Sequence, residues 1–233
     1  MIDLKNKVAI VTGGSRGIGK SICDVLGDCG AKVIPMARSF GQDVTDHEEI
    51  EEFIGSRDRI DILVNCAGVL FMKPLFSEIN DSFGKDLSIK EWHSQMDTNI
   101  KGTYYCCKYA SKHMSANGGK IINISSIDAI RGMLYQSAYS MTKGAIIALT
   151  RSLAVELGRF NINVNCVCPG FVDTNMTHSY HQNDKMRQSM INMSPLRRLT
   201  DPKDVAFMVA FLASDMANNI TGQIICVDAG VTV

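Results

Sequence analysis

Three residues between positions 126 and 143 have types and a spacing that suit proton transfer. Tyr139 lies thirteen residues after Ser126, and Lys143 lies four residues after Tyr139. Residues four apart share one helix face, so the phenol and the ammonium are expected to be neighbours, and a nearby cation lowers the pKa of a phenol below about 10. The Ser126 hydroxyl can donate to a carbonyl oxygen or accept from an alcohol. The trio predicts a metal-free site for proton exchange, provided that the chain also holds a cofactor site, because Tyr-x-x-x-Lys is common on helix surfaces.

A glycine-rich loop follows the first apolar stretch of the chain. Residues 8–11 are rich in β-branched side chains, which is typical of a strand buried on both faces of a parallel sheet. The sequence TGGSRGIG comes next and opens a predicted helix that runs to about Cys29. Glycines at 13, 17 and 19 permit a tight turn and let the backbone approach a pyrophosphate at the helix N-terminus. Because a strand precedes the loop and a helix follows it, we predict a dinucleotide cofactor.

The end of the second predicted strand, residues 32–37, indicates which dinucleotide is preferred. NAD-specific sites place an acidic residue there to hold the ribose 2′-hydroxyl, whereas this strand ends in Ala37 and Arg38 follows. Arg16 in the glycine loop is a second cation that can reach the same place. Two guanidinium groups suit a 2′-phosphate, so the sequence predicts NADP(H) in preference to NAD(H). The alternative is that both arginines are ordinary solvated surface residues.

The remaining pattern alternates strands with helices and predicts an α/β fold. Only residues 38–42 separate the second strand from Asp43-Val44, and a parallel crossover with its helix needs at least about 10 residues. Pro35 favours an edge position for the second strand. We therefore expect a single-domain, Rossmann-type, doubly wound parallel sheet with helices on both faces, in which the third strand and its crossover helix are shortened or absent. Later strands are predicted at 61–65, 120–125, 163–168 and 223–227, and helices at 47–54, 89–114 (interrupted near Gly102), 137–158 and 205–214.

The composition of the chain argues against a nucleic-acid-binding or membrane-spanning protein. The 233 residues contain 24 basic and 24 acidic side chains, so nothing favours nucleic acid or an anionic membrane surface as a partner. The eight cysteines are scattered and read as buried thiols in a reducing cytoplasm. No run approaches the about 20 apolar residues of a membrane helix. We expect one domain over residues 1–233, with a substrate lid at about 171–199.

Together these motifs resemble the short-chain dehydrogenase/reductase family over essentially the whole chain. By this resemblance Asn99, Ser126, Tyr139 and Lys143 form a catalytic tetrad. Tyr139 would be the general acid/base and Ser126 would polarise the carbonyl. Lys143 would lower the pKa of Tyr139 and bind the nicotinamide ribose, while Asn99 would hold a water in a proton relay. The resemblance implies NAD(P)-dependent hydride transfer between the nicotinamide and a carbonyl or secondary alcohol.

The same resemblance implies where the cofactor binds. Asp43 would face the adenine, Asn65 and Gly68 would line the adenosine side, and residues 172–174 would meet the nicotinamide carboxamide. The full expected cofactor-binding set is Gly13, Ser15, Arg16, Gly17, Ile18, Gly19, Arg38, Asp43, Val44, Asn65, Ala67, Gly68, Tyr139, Lys143, Pro169, Gly170, Val172 and Thr174. No metal site is expected.

The sequence indicates the substrate less clearly than it indicates the cofactor. Residues 169–174 and the C-terminal SPLRRLTDPKDVA run are most similar to 3-oxoacyl-[acyl-carrier-protein] reductases, which implies an acyl-thioester carbonyl substrate and assembly as a homotetramer. Asn117 and Phe160 stand where those reductases commonly carry basic residues, and Asp128 places a carboxyl near the substrate mouth. Sugar, polyol, steroid and xenobiotic ketones stay open as alternative substrates, because one scaffold serves them all. A non-catalytic dinucleotide-binding module is the remote alternative.

Overall fold

The computed structural model describes residues 2–76, 85–174 and 184–233. The described residues build one sheet of six parallel strands in the order β2-β1-β3-β4-β5-β6. The strands are β1 (Val8–Thr12), β2 (Lys32–Met36), β3 (Ile62–Asn65), β4 (Gly119–Ile124), β5 (Ile162–Pro169) and β6 (Ile224–Val227). The helices are α1 (Gly17–Asp28), α2 (His47–Gly55), α3 (Ile89–Gln95), α4 (Thr103–Met114), α5 (Ser137–Leu157), α6 (Asp184–Met193) and α7 (Pro202–Ala213).

Helices cover both faces of this sheet. On one face, α1 and α7 pack against the strands around Ile22, Leu26 and Val209. On the other face, α2, α4 and α5 pack around Ile50 and Cys106. Strands buried on both faces explain the near-continuous apolar runs in the sequence. The α/β, Rossmann-type architecture that the sequence predicted is confirmed.

The prediction of a missing third strand is also confirmed. β2 is an edge strand, and β1 pairs directly with β3 on its other side. Between β2 and α2 the chain forms only one short 3₁₀ helix, Arg38–Phe40, in place of the additional crossover helix and strand of a full Rossmann unit. Val44 then packs against Gly102, whose missing side chain allows the contact: a Cβ there would lie 2.8 Å from the Val44 carbonyl oxygen.

The long helix predicted over 89–114 is interrupted, as expected, but by a different device. α3 begins at a capping box formed by Ser88 and Glu91. The chain then widens into a π-helical segment, Met96–Gly102, before α4 begins. The interruption therefore starts about one turn earlier than the glycine at 102 suggested. Single π-helical turns inside α-helices are frequent at functional sites.

The predicted lid contains a helix that the sequence analysis did not assign, α6, on which no described residue is buried. The rest of the predicted lid around 175–183, and residues 77–84 of the long segment before α3, lie outside the described residues. Among the residues that the structure describes, no helix combines the length and apolar character needed to cross a membrane.

A buried polar network joins the middle of the sheet to α5. The Asn65 amide donates to the Asn123 oxygen at 2.9 Å, and the Asn123 amide donates to Thr150 Oγ1 at 3.0 Å. Thr150 in turn donates to the Ile146 carbonyl at 2.8 Å. Asn123 and Thr150 are fully buried, so these bonds have no competition from solvent. The network sets the position of α5 relative to β3 and β4.

We predict that Asn123→Ala lowers the free energy of unfolding by about 2–3 kcal/mol, because it leaves the Asn65 amide and Thr150 without a shared partner and opens a small cavity. Urea unfolding followed by circular dichroism measures the change. Asn117→Ala, at an exposed position, is the matched control and should change the free energy of unfolding by no more than about 0.5 kcal/mol. Equal effects of the two substitutions would contradict the importance of the network.

Candidate active site

The four predicted catalytic residues come from three elements that meet at the carboxyl edge of the sheet. Ser126 lies two residues after the end of β4 and begins the 3₁₀ helix Ile127–Ala129. Tyr139 and Lys143 occupy the first two turns of α5. Asn99 lies in the π-helical segment. Parallel sheets bind ligands beyond the carboxyl ends of their strands, and these side chains are in that location.

Lys143 is the most constrained of these residues. Its side chain is buried, and Nζ donates to the Ile124 carbonyl at the end of β4 at 3.0 Å. The Ser125 hydroxyl donates to the Lys143 carbonyl at 2.8 Å, so the backbone of α5 is attached to the same strand end. Burial lowers the pKa of Lys143, because the charged form loses hydration. Lys143 Nζ lies 5.6 Å from the centre of the Tyr139 ring, so the expected proximity of the two is present.

The titration of Tyr139 differs from the expectation. Burial raises the pKa of its phenol, the carboxyl of Asp128 raises it further, and a hydrogen bond from Ser126 acts in the opposite direction. The net shift of this pKa is therefore upward, and the lowering of it by the Lys143 ammonium stays a prediction. Desolvation outweighs a cation whose nearest hydrogen bond goes to the Ile124 carbonyl rather than to the phenol. Tyr139 consequently holds its proton at neutral pH.

Asn99 connects the site to the loop after β3. Its amide donates to the Val69 carbonyl and to Thr142 Oγ1, each at 3.0 Å, and its oxygen accepts from the Val69 backbone at 2.9 Å. The Asn99 side chain is fully buried, both of its amide hydrogens are donated, and its oxygen accepts one of the two hydrogen bonds that it can accept. A hydroxyl on Thr103 donates to the Asn99 backbone carbonyl at 2.9 Å. Thr142 was not singled out in the sequence, since a threonine inside a helix carries no motif of its own.

Asp128 lies beside these groups. Its backbone N–H donates to Ser126 Oγ at 3.1 Å, and its side chain is buried. Burial raises the pKa of the Asp128 carboxyl to about 6, while a hydrogen bond from Ser126 and the charges of Lys143 and Arg131 limit the rise. The sequence analysis expected this carboxyl near the substrate mouth, and in the structure it is buried and its charge raises the pKa of Tyr139.

The glycine loop has the shape that a dinucleotide needs. Gly13 has φ +69°, and a Cβ on it would lie 2.9 Å from the Ala67 backbone. A Cβ on Gly19 would collide with the Gly13 carbonyl. Gly17 has φ +54° and begins α1, so the first N–H groups of that helix face the loop without bulky side chains around them. This loop and helix N-terminus fit the pyrophosphate of a nicotinamide dinucleotide.

Two further segments close around this loop. Thr12 Oγ1 accepts from the backbone of Cys66 and of Ala67, both at 3.1 Å, and so holds the turn after β3 against β1. A Cβ on Gly68 would lie 3.5 Å from Asn99 Oδ1 and 3.6 Å from Lys143 Nζ, so the glycine keeps the space between the loop and the tetrad open. The role of Thr12 was missed, because the sequence pattern drew attention only to its glycine neighbours.

The segment after β5 returns to the glycine loop. Gly170 packs against Asp228, where a Cβ would lie 2.6 Å from the Asp228 Cα. Val172 is buried and forms an isolated bridge with Thr200. A Cβ on Gly17 would lie 3.4 Å from the Thr174 Cβ. Residues 169–174 therefore approach the start of α1, as the expected contact with a bound dinucleotide requires.

The adenosine end is more open. Arg16 is exposed, and Arg38 Nε lies 3.8 Å from Asp43 Oδ2 with about two thirds of its side chain exposed. Val44 is buried. The Asn65 amide nitrogen donates to Asn123 and to Cys107 Sγ, and the Asn65 side-chain oxygen is buried.

Comparison with known proteins agrees with this geometry. A family model described as enoyl-(acyl carrier protein) reductase matches residues 8–232. The 3-oxoacyl-[acyl-carrier-protein] reductase of Chlamydia trachomatis is 36% identical over 97% of this chain and 98% of its own, and that of Vibrio cholerae is 35% identical over 98% of each.

Solved structures give the same result. The aldohexose dehydrogenase of Thermoplasma acidophilum is 31% identical, with a TM-score of 0.89 over 99% of this chain and 96% of that one. A structure described as a putative NAD(P)-dependent gluconate 5-dehydrogenase from Beutenbergia cavernae with bound NADP is 28% identical, with a TM-score of 0.90 over 99% of this chain and 98% of that one. The chain belongs to the short-chain dehydrogenase/reductase family and is an NAD(P)-dependent oxidoreductase.

Proposed function

We propose that this enzyme reduces the carbonyl of a 3-oxoacyl thioester and uses NADPH as its cofactor. The observation that carries the proposal is that Tyr139 and the buried Lys143 lie together at the start of α5, with Ser126 just beyond the end of β4 and a glycine loop built for a dinucleotide next to them. The substrate class rests on the relatives that are named 3-oxoacyl-[acyl-carrier-protein] reductases and are about as long as this chain.

In this proposal each side chain has one task. The bound nicotinamide supplies the hydride that reaches the carbonyl carbon. The Ser126 hydroxyl donates a hydrogen bond to the carbonyl oxygen, and Tyr139 gives that oxygen its proton as the alcohol forms. The phenol of Tyr139 is protonated at neutral pH, so its proton is present to be donated in this direction. Lys143 binds the nicotinamide ribose, and Asn99 fixes the loop at Val69 and Gly68 through its side chain.

The preference for NADPH is proposed from the residues after β2. Ala37 leaves the strand end without a carboxylate, and the guanidinium groups of Arg16 and Arg38 are exposed and available to a 2′-phosphate. Asp43 lies near Arg38, and its Oδ1 accepts from the Thr45 backbone at 3.0 Å, which holds it as a turn residue. A related solved structure contains NADP.

Assembly as a homotetramer, built as a dimer of dimers, is proposed from the outer face of α5. Met141, Ala148 and Val155 are exposed there, and Val155 is 85% exposed. An apolar helix face on the surface is expected to pack against a partner. On α4 the exposed positions are Tyr104, Lys108 and Lys112. The interface that we propose therefore relies on α5.

We further propose a cytoplasmic enzyme with one domain over residues 1–233 and a lid at about 171–199. All eight cysteines are free thiols, which supports a reducing compartment. Within this range α6 follows residues 169–174 in the chain and precedes α7, has no buried residue and exposes Met193.

We predict that Tyr139→Phe reduces kcat for NADPH-dependent reduction of an acetoacetyl thioester by at least about 10²-fold, because the phenylalanine ring cannot protonate the alkoxide. Steady-state kinetics measures the loss, and the binding of NADPH, followed by its fluorescence, should persist. Tyr104→Phe removes the hydroxyl of an exposed tyrosine on α4 and should retain turnover. Near-normal turnover in Tyr139→Phe would refute the proposed function.

We predict that Arg38→Ala lowers the ratio of kcat/KM for NADPH to that for NADH by about tenfold, since a charge-assisted hydrogen bond at an exposed site contributes about 1.5 kcal/mol. Adding Ala37→Asp should reverse the preference by placing a carboxylate where the ribose 2′-hydroxyl lies. Arg59→Ala is the matched control. Arg59 is an exposed residue before the start of β3, at the amino end of the strands and away from the site, so its loss should leave the ratio unchanged. A wild type that prefers NADH would show that the two arginines are only surface charges.

We predict that Val155→Arg converts the tetramer into smaller species, because it places a charge in the centre of the proposed α5 interface. Light scattering at micromolar concentration measures the mass. Lys112→Arg on the outer face of α4 keeps the charge at its position and should leave the mass unchanged. A wild-type monomer at this concentration would contradict the assembly.

A further inference from the structure

A polar cavity lies at the amino ends of the strands, at the end of the sheet opposite the active site. Its volume is about 130 Å³, and its lining includes the first residue of β3, the first two residues of β4 and the second residue of β5. The end of α7 and the short 3₁₀ helix Asp215–Ala217 contribute another part of the wall. Most of the lining side chains are lysines and asparagines: Lys7, Asn117, Lys120, Asn161, Asn163 and Asn218.

A buried ammonium lies among these side chains. Lys120 is 8% exposed, and its Nζ donates to Asn163 Oδ1 at 2.8 Å and to Asn218 Oδ1 at 2.7 Å. Both acceptors are neutral amides, and Lys120 forms no ion pair in the described part of the chain. These two bonds use two of the three N–H donors of an ammonium. Because a buried charge is stabilised by a partner of opposite sign, the group that this site lacks is a negatively charged acceptor.

The other charged groups of the lining leave the cavity with an excess of positive charge. Lys7 contributes a second ammonium, and its charge lowers the pKa of Lys120, as burial does. The carboxylate of Asp215 raises that pKa, so one negative charge opposes the two lysines. The carboxylate of Asp61 is already paired, since its Oδ1 accepts from the Arg59 guanidinium at 2.7 Å. Two ammonium groups therefore face one unpaired carboxylate, and this balance favours a small anion.

The backbone fixes the rim of the cavity where β4 and β5 begin. Gly118 has φ +75° and Asn161 has φ +57°, so both residues are left-handed. A Cβ on Gly118 would lie 2.8 Å from the Asn161 carbonyl oxygen, and the Gly119 N–H donates to the same oxygen at 3.2 Å. The two turns are thus held against each other, and the Asn117 and Asn161 side chains of the lining belong to them.

We propose that this cavity binds a small oxyanion, a phosphate or a carboxylate group, between the ammonium groups of Lys120 and Lys7. One water takes about 30 Å³ in the liquid, so the cavity has room for about four waters or for one anion with a similar number of heavy atoms. The amides of Asn117 and Asn161 offer further N–H donors to its oxygens. Because the lining residues come from three strands and the end of α7, a bound anion stabilises the amino end of the sheet.

The first test is thermal unfolding of the whole protein with rising potassium phosphate at constant ionic strength, in the presence of saturating NADP so that the glycine loop is filled. A ligand at about five times its Kd raises the Tm of a chain of this length by about 2–4 °C, so we expect a saturable rise of this size. Phosphate also stabilises proteins by exclusion from their surfaces, but that effect does not saturate. Acetate replaces phosphate in a second series, and a saturable rise there alone identifies a carboxylate as the ligand. No saturable rise with either anion overturns the inference.

The second test uses substitutions whose expected effects on phosphate binding have opposite signs, measured by isothermal titration calorimetry. Lys7→Gln removes one of the two cations and should weaken binding by about tenfold, the effect of one lost hydrogen bond to a charged group. Asp215→Asn removes the opposing carboxylate and should tighten binding by about two- to fivefold, the size of an exposed charge interaction. Lys112→Gln, at an exposed position on α4, is the control and should leave the Kd unchanged.

Lys120→Met removes the buried ammonium and should abolish saturable phosphate binding. This substitution also takes a donor from Asn163 and Asn218, so the Lys7 and Asp215 variants decide the outcome if it does not fold. A Kd that is the same in wild type and Lys7→Gln, or that moves in the same direction in Lys7→Gln and Asp215→Asn, overturns the inference. None of these residues has a role in the proposed carbonyl reduction, so a protein that reduces no thioester yet binds phosphate in this pattern refutes only the proposed function.

Discussion

The burial of one ammonium group constrains the rest of this site. Lys143 is only 4% exposed, and a buried charge is tolerated only where polar groups replace its lost hydration. The Ile124 carbonyl is available for this purpose because β4 ends there, and Ser125 ties the backbone of α5 to the same strand end. The position of α5, and with it that of Tyr139, follows from the need to solvate this lysine.

Asn99 attaches the loop after β3, which lies beside the glycine loop, to α5. Its side chain bridges Val69 and Thr142, and the widened helical segment around it allows the amide to reach both. In the glycine loop, the absence of side chains lets backbone segments approach one another. A Cβ on Gly19, for example, would collide with the Gly13 carbonyl. The site is therefore assembled from strand ends, a helix N-terminus and one π-helical turn, and not from any single motif.

The electrostatic character of the site comes from desolvation more than from charge pairing. Burial raises the pKa of Tyr139 and of Asp128 and lowers that of Lys143, and in each case it is the largest cause. Simple proximity of a lysine to a tyrosine predicts the opposite sign for Tyr139. The site thus presents a protonated phenol at neutral pH.

The sequence by itself determined the fold class and the shortened third unit, and it predicted Ser126, Tyr139 and Lys143 as one site, whereas Asn99 was assigned by the family resemblance. These follow from local constraints: apolar runs of strand length, glycines at fixed offsets, five residues where a crossover needs about ten, and a tyrosine four residues before a lysine. The tertiary structure alone decided which side chains are buried together. Packing decided the π-helical segment that starts at Met96, the hydrogen bond from Asn65 to Asn123 and the exposed lysines of α4. Desolvation is a property of such packing, so the sign of the pKa shift of Tyr139 could not be read from spacing.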